Sequence, residues 1–297
     1  MSITRVLQPY VCCIGNPVAG NPTQFVMVRA AQAAGVDWRF FTSQVAVDQF
    51  ETAFRGIQAL GLDGVAIFDP FQSQAISLLD SVTESALALN RVNVARSDSN
   101  SWLGDNTLGA ALARCIDPRL FQEGWIESKL AIEDASTNMG SIVVLNEPTI
   151  ATVVRLAASS IQNRVIDVAD ALVERDNATA DLNESAHPSI AAIESLDGFV
   201  AKRQPVDFMI FNRIPSAAVL RQIPSIAWNA NAGCLVLAPG SESQLKPLRD
   251  QLRELSVKYV EPIELMANQA AADFHFWTGV APSVDLIRES FEEYLQW

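Results

Sequence analysis

Short apolar runs alternate with helical patterns through the first hundred residues, and that alternation constrains the fold more than any other feature of the chain. Tyr10-Val11-Cys12-Cys13-Ile14 is an apolar run stopped by Gly15 and Pro17. A helical pattern follows from Thr23 to Ala34, a strand-like run from Trp38 to Phe41, and a further helix around Val47–Leu60. Val65 to Phe68 predicts a third strand and Gln72–Leu79 another helix. Strands of this length separated by amphipathic helices pair through crossover connections, so the pattern predicts βαβ units and a mainly parallel sheet of the α/β class.

Two short strands are predicted next, Val92–Ala95 and Ser101–Leu103, with Gly104-Asp105-Asn106-Thr107 as a loop. The polar stretch Ile132–Gly140 reads as a connection into a second unit. There Ser141–Leu145 and Arg164–Val168 read as buried strands around a helix over Pro148–Ser160. Asp176–Pro188 is loop-like. Val206–Phe211, Ser225–Trp228 and Cys234–Leu237 predict further strands, with a helix around Ser243–Leu255. Two helices close the chain, Pro262–Trp277 and Ser283–Gln296. Between them, Gly279 past one end and Pro282 near the next start are a stop and a restart.

Composition narrows the function classes. Hydrophobic residues make up 49% of the 297 and charged ones 19%, which describes a globular chain. Lys and Arg number 21 against 34 Asp and Glu, a net charge of −13. Such a surface repels phosphate backbones and anionic lipid, so neither nucleic acid nor membrane is an expected partner. No apolar run is long enough to span a bilayer, and the N-terminus has no basic-then-apolar leader, so a cytoplasmic location is expected. The four cysteines, Cys12, Cys13, Cys115 and Cys234, have no metal-ligand spacing and read as reduced thiols. Monomer and homodimer are both compatible with the sequence.

The chemistry-bearing residues fall in four segments. Ile14-Gly15-Asn16-Pro17-Val18-Ala19 opens the chain. Gly64-Val65-Ala66-Ile67-Phe68-Asp69-Pro70-Phe71-Gln72 runs on to Leu78-Leu79-Asp80. Val92-Asn93 precedes Gly104-Asp105-Asn106-Thr107-Leu108-Gly109. Leu265-Met266-Ala267-Asn268-Gln269-Ala270 leads to Phe276-Trp277-Thr278-Gly279. In this order and at this spacing they resemble the shikimate/quinate dehydrogenase family. Its members carry G-N-P-I with H-S-x-S-P, G-x-N-V-T-x-P-x-K, G-A-V-N-T with G-x-N-T-D-G, and M-L-x-x-Q-A…W-T-G.

The resemblance implies a two-domain α/β fold. Residues 1–112 with 262–297 would form a substrate-binding-type domain, and 113–261 a Rossmann-like dinucleotide-binding domain. It also implies that Asn21, Thr23, Gln72, Asn93, Asn106 and Gln269 share one polar substrate cleft. Asn21 and Thr23 replace two serines that hold a carboxylate, and either can still hydrogen-bond one.

Two family features are missing. Alcohol oxidation by a nicotinamide needs a group to take the hydroxyl proton, and the family's lysine and aspartate become Gln72 and Leu108, neither able to do so. General acid–base help of this kind is worth about 10²–10⁴-fold in rate. After the strand Ser141–Leu145 the family continues G-A-G-G, whose bare backbone admits a pyrophosphate to a helix N-terminus. Here the residues are Asn146-Glu147-Pro148-Thr149. Proline lacks the N–H, and Glu147 brings a charge that repels phosphate. Asp167-Val168-Ala169-Asp170, at the next strand end, lacks the arginine expected for a 2′-phosphate. The expectation is therefore no NAD(P) in the usual pose, no confident catalytic residue, no metal, and a protein that binds a small hydroxylated carboxylate as sensor or regulator. The alternative is an active NAD(P)-dependent oxidoreductase of the same family with an unrecognised base. Asp69 and Asp105 read as turn and loop-capping residues, His187 as solvent-exposed in a polar loop, and His275 as a packing or surface residue.

Overall fold

The computed structural model describes residues 8–98, 101–117, 140–157, 165–169 and 194–296. They divide into two compact units. Those within Met1–Leu130, Thr152–Ser159 and Ile263–Trp297 make the first; those within Ala131–Ala151 and Ser160–Pro262 make the second. Among the described residues no helix is long and apolar enough to cross a membrane. His187, Asp170, the connection at 132–139 and the loop-like stretch 176–188 lie outside them.

The first unit is built on a six-stranded sheet in the order β2-β1-β3-β5-β6-β4. Its strands are β1 (Tyr10–Gly15), β2 (Arg39–Gln44), β3 (Gly64–Ile67), β4 (Ser81–Val82), β5 (Val94–Asp98) and β6 (Ser101–Asp105). β2, β1 and β3 pair in parallel through α1 (Thr23–Ala34) and α2 (Phe50–Ala59), as βαβ connections require. β5 runs antiparallel to both β3 and β6. Period-two alternation splits the adjacent cysteines between the two faces. Cys13 packs with Met27, Ala30, Phe274 and Trp277 under α1 and α9 (Pro262–Thr278); Cys12 packs with Phe50, Phe54 and Phe71 on the other side. All four cysteines are free, and burial pushes the Cys12 thiol up to about 12. Gly64 is glycine because a Cβ there would lie 2.6 Å from Trp277 Cδ1.

The second unit carries an all-parallel sheet in the order β12-β11-β10-β7-β8-β9. Its strands are β7 (Ser141–Leu145), β8 (Val165–Ala169), β9 (Glu194–Ser195), β10 (Val206–Phe211), β11 (Trp228–Val236) and β12 (Lys258–Tyr259). Numbered from β7, this is the Rossmann order 3-2-1-4-5-6, whose topological switch point lies between β7 and β10. Val143, Leu145, Met209, Phe211 and Cys234 pack against Leu245, Leu248 and Leu252 of α8 (Glu242–Glu254).

Three local expectations need correction. The helix read over Gln72–Leu79 is only a 3-10 turn at Gln74–Leu78, and the Gln72 side chain ahead of it is tied back to Ile67 O. The strand read at Val92–Ala95 starts at Val94 and runs to Asp98, because β6 supplies ladder partners for the polar residues Arg96-Ser97-Asp98. The strand read over Ser225–Trp228 begins only at Trp228: Ile223–Ser225 is a 3-10 turn around Pro224, which has no N–H for a ladder.

Candidate functional site

The first sheet aims its loops at one end. β1 and β3 are parallel and end together, with Phe68 N donating to Ile14 O at 2.8 Å and Asn16 N to Asp69 O at 3.1 Å. β5 begins at that same end, where Val94 pairs with Ala66 on one side and Asp105, the last residue of β6, on the other. Asn93, immediately before β5, and Asn106 and Thr107, immediately after β6, are therefore brought together by register alone. All three are buried.

Their hydrogen bonds are closed on one another. Asn93 Oδ1 accepts from Thr107 N at 3.0 Å, and Asn93 Nδ2 donates to Thr107 Oγ1 at 3.0 Å. The same Nδ2 donates to Asp273 Oδ1 at 2.9 Å, and Thr107 Oγ1 donates to that oxygen at 2.5 Å. Asn93 thus spends both amide hydrogens inside the protein. Asn106 is likewise engaged: its Nδ2 donates to Arg91 O at 3.0 Å and its Oδ1 accepts from Leu108 N at 3.2 Å, at the start of α4 (Leu108–Ile116).

Asp273 was not among the residues singled out from the sequence, yet it is the carboxylate of this cluster. It lies on α9 four residues after Gln269, about 40° away around the helix, so the two share a face. Removal from water raises its carboxyl to about 7, the neighbouring Asp105 adds to the rise, and the bonds from Thr107 and Asn93 oppose it. That rise holds although the residue is still partly exposed. Asp105 is also raised, first by burial, against hydrogen bonds from the Thr83 hydroxyl and Asn106 N and the nearby Arg96 charge. Its contacts are those of a loop cap.

Gln72, at the position of the family's lysine, donates from Nε2 to Ile67 O at 2.9 Å and accepts from Arg91 Nε at 2.8 Å. Arg91 in turn pairs with Asp69 Oδ1 at 2.6 Å on the surface. The guanidinium that contacts Gln72 is thus also paired with a turn carboxylate. Leu108, at the aspartate position, is half-buried. Gln269 is half-buried and its side chain makes no hydrogen bond among the described residues. Thr23 is half-buried at the start of α1. Asn21 accepts from Thr23 N at 2.9 Å, an Asx-type turn, and lines a groove of about 520 Å³ with Phe25, Arg29 and Tyr294. Neither Asn21 nor Thr23 shares a hydrogen bond with the Asn93 cluster. His275 is half-buried and held below its ordinary value chiefly by burial. No group of His, Cys, Asp or Glu suited to a metal occurs among the described residues.

In the second unit, α5 (Pro148–Ala157) starts directly after β7. Glu147 Oε1 accepts from Thr149 N at 3.3 Å, so this carboxylate caps the helix that follows it. Its Oε2 accepts from Asn212 Nδ2 at 3.1 Å, and Asn212 follows β10. The bond spans the switch point between β7 and β10. Asn146 adopts a positive φ of 62°. A pyrophosphate brought to this helix N-terminus meets a carboxylate already there, and Pro148 withholds its N–H. These residues do not fit a dinucleotide in the Rossmann pose.

Residues 13–95 match the family model described as the shikimate dehydrogenase substrate binding domain. An NADP(+)-dependent shikimate dehydrogenase of Bacillus subtilis is 24% identical over 289 residues, 93% of this chain and 93% of its own. One from Acinetobacter baumannii is 27% identical over 276 residues, covering 91% and 96%. The shikimate 5-dehydrogenase of Thermus thermophilus, solved in complex with NADP(H) and shikimate, superposes with a TM-score of 0.66 at 14% identity, covering 97% and 100%. The matched domain, the motif order and these relatives make the chain similar along its length to shikimate dehydrogenases, and the superposition shows that it has their two-domain fold.

Proposed function

We propose that this chain is a divergent member of the shikimate/quinate dehydrogenase family that binds a small hydroxylated carboxylate in its N-terminal unit and does not run the nicotinamide-dependent reaction in the family's usual pose, serving as a sensor or regulator. The observation that carries the reading is Glu147. Its carboxylate caps α5 and reaches Asn212 across the Rossmann switch point, where the family's pyrophosphate would sit. Two like charges about 4 Å apart cost on the order of 4 kcal/mol at an effective dielectric near 20, so cofactor and Glu147 compete for one place. Gln72 and Leu108 support the same reading, since neither exchanges a proton near neutral pH.

Ligand binding is supported by the polar groups left over: Gln269 has a whole amide to offer, and Thr23 retains its hydroxyl. Following nicotinamide absorbance with NAD or NADP and shikimate or quinate tests the first half of the proposal. Turnover at ordinary enzyme rates, about 1–10³ s⁻¹, would overturn it. Calorimetric titration with shikimate tests the second half.

A further inference from the structure

The Asn93 cluster leaves one carboxylate oxygen without a hydrogen bond among the described residues, and it belongs to Asp273. Both Asn93 hydrogens and its carbonyl oxygen are engaged by Thr107 and Asp273. The Thr107 hydroxyl donates to Asp273 Oδ1 and accepts from Asn93. Oδ1 of Asp273 therefore receives two hydrogen bonds. Oδ2 receives none among the described residues, and Asp273 is partly exposed on the helix face it shares with Gln269. Building on the binding function proposed above, we propose that Asp273 Oδ2, rather than Asn93, is the ligand contact at this end of the site. It sets which oxidation state of the ligand is held: ionised, it accepts from an alcohol; protonated, it donates to the carbonyl of the corresponding ketone.

The chemistry follows from the fixed half of the carboxyl. With Oδ1 accepting from two donors, a proton bound by Asp273 goes to Oδ2, so that one atom changes from acceptor to donor while the rest of the cluster stays in place. The surroundings place that change near neutrality. The charged and titratable groups facing Asp273 are Asp105 at the end of β6, which disfavours ionisation, and Cys13 on β1, whose thiol is itself raised by burial. Arg96 on β5 is tied to Phe276 O at 2.9 Å and lies over the Phe276 ring. His275 on the same helix is held below its ordinary value. No ion pair reaches Asp273 among the described residues, so burial dominates and pushes the carboxyl up to about 7. The family's lysine and aspartate offer a cation and an anion together; here a single carboxyl alternates between the two hydrogen-bonding roles.

The test is calorimetric titration of the full chain with shikimate and with 3-dehydroshikimate, at about pH 6 and about pH 8, for the wild type and Asp273→Asn. The wild type is expected to favour the alcohol at the higher pH, and that preference should fall about tenfold at the lower, the scale of one charge-assisted hydrogen bond. Asp273→Asn preserves the shape and keeps Oδ1 as the acceptor for Asn93 and Thr107. It places a permanent N–H donor where Oδ2 was. It should favour the ketone at both pH values with no pH dependence, and thermal melts of the variant verify that it folds. A wild type that binds, with a variant showing the same preference and the same pH dependence, overturns the assignment of Asp273 alone. A wild type that binds neither compound at either pH overturns both this assignment and the binding function beneath it.

Discussion

Replacing Asp273 by asparagine should stabilise the protein in a pH-dependent way, and the size of the effect can be worked from its surroundings. The carboxyl's value is raised from 3.8 to about 7. The folded state therefore holds the proton more tightly than the unfolded chain does, and the penalty falls on the ionised form. It is absent below the ordinary carboxylate value, grows as pH rises, and is complete above about 7. Every tenfold gain in proton affinity is worth about 1.4 kcal/mol, so a rise of this size sets a ceiling of about 4 kcal/mol. Asp273 is partly exposed, and solvent screening brings the expectation down to about 1–2 kcal/mol. Asparagine has no charge to desolvate and still accepts from Thr107 and Asn93. Asp273→Asn should thus exceed the wild type by about 1–2 kcal/mol at about pH 8 and by no more than a few tenths at about pH 4. Thermal unfolding followed by tryptophan fluorescence at both pH values measures the gap. A gap that is constant with pH, or that widens towards acid, refutes the reasoning.

Three other perturbations read separate parts of the structure. Glu147→Ala removes the cap on Thr149 N and the bond to Asn212, and should lower stability by about 1 kcal/mol in a urea titration; an unchanged midpoint would mean that the carboxylate does not hold the switch point. Gln72→Lys sets an ammonium beside the Arg91 guanidinium, while Gln72→Glu gives Arg91 a charged partner; the glutamate variant should be the more stable by about 0.5–1 kcal/mol, and the reverse order would show that Gln72 and Arg91 do not interact. Gly64→Ala forces a methyl to within 2.6 Å of Trp277 Cδ1 and should cost about 1–3 kcal/mol with a changed near-ultraviolet tryptophan signal, whereas a silent substitution would refute that packing.

The fold was legible wherever hydrophobic period alone decides it. Val206–Phe211 and Ser141–Leu145 are strands with the boundaries read from sequence, because each is apolar but for one polar residue at or near its start and is buried on both faces of a parallel sheet. Arg96-Ser97-Asp98 carries no such signal; these polar residues are strand only because β6 lies beside them, and antiparallel pairing tolerates a solvated face. The 3-10 turn at Gln74–Leu78 escapes the pattern for the complementary reason. Its residues have helical spacing, but over so few residues period does not separate 3-10 from α-helical bonding.

The candidate site was legible in its backbone and not in its side chains. Register fixes that Asn93, Asn106 and Thr107 meet, and motif spacing was enough to select the two asparagines. It could not show that their amides would be consumed internally: Asn106 is taken up by Arg91 O and Leu108 N, and Asn93 by Thr107 and by Asp273, which is distant in sequence and sits on a helix otherwise rich in alanine and aromatics. One signal was present: an acidic residue four positions after Gln269 falls on the same helical face, and an unpaired carboxylate on the inward face of an apolar helix is rarely tolerated without partners. The same logic bears on Gln72. A lysine there would face the Arg91 guanidinium, which donates to Gln72 and pairs onward with Asp69. Charge is thus arranged differently from the family pattern: the carboxylate of the Asn93 cluster stands on α9, and the guanidinium that holds Gln72 is paired with a carboxylate on the surface turn.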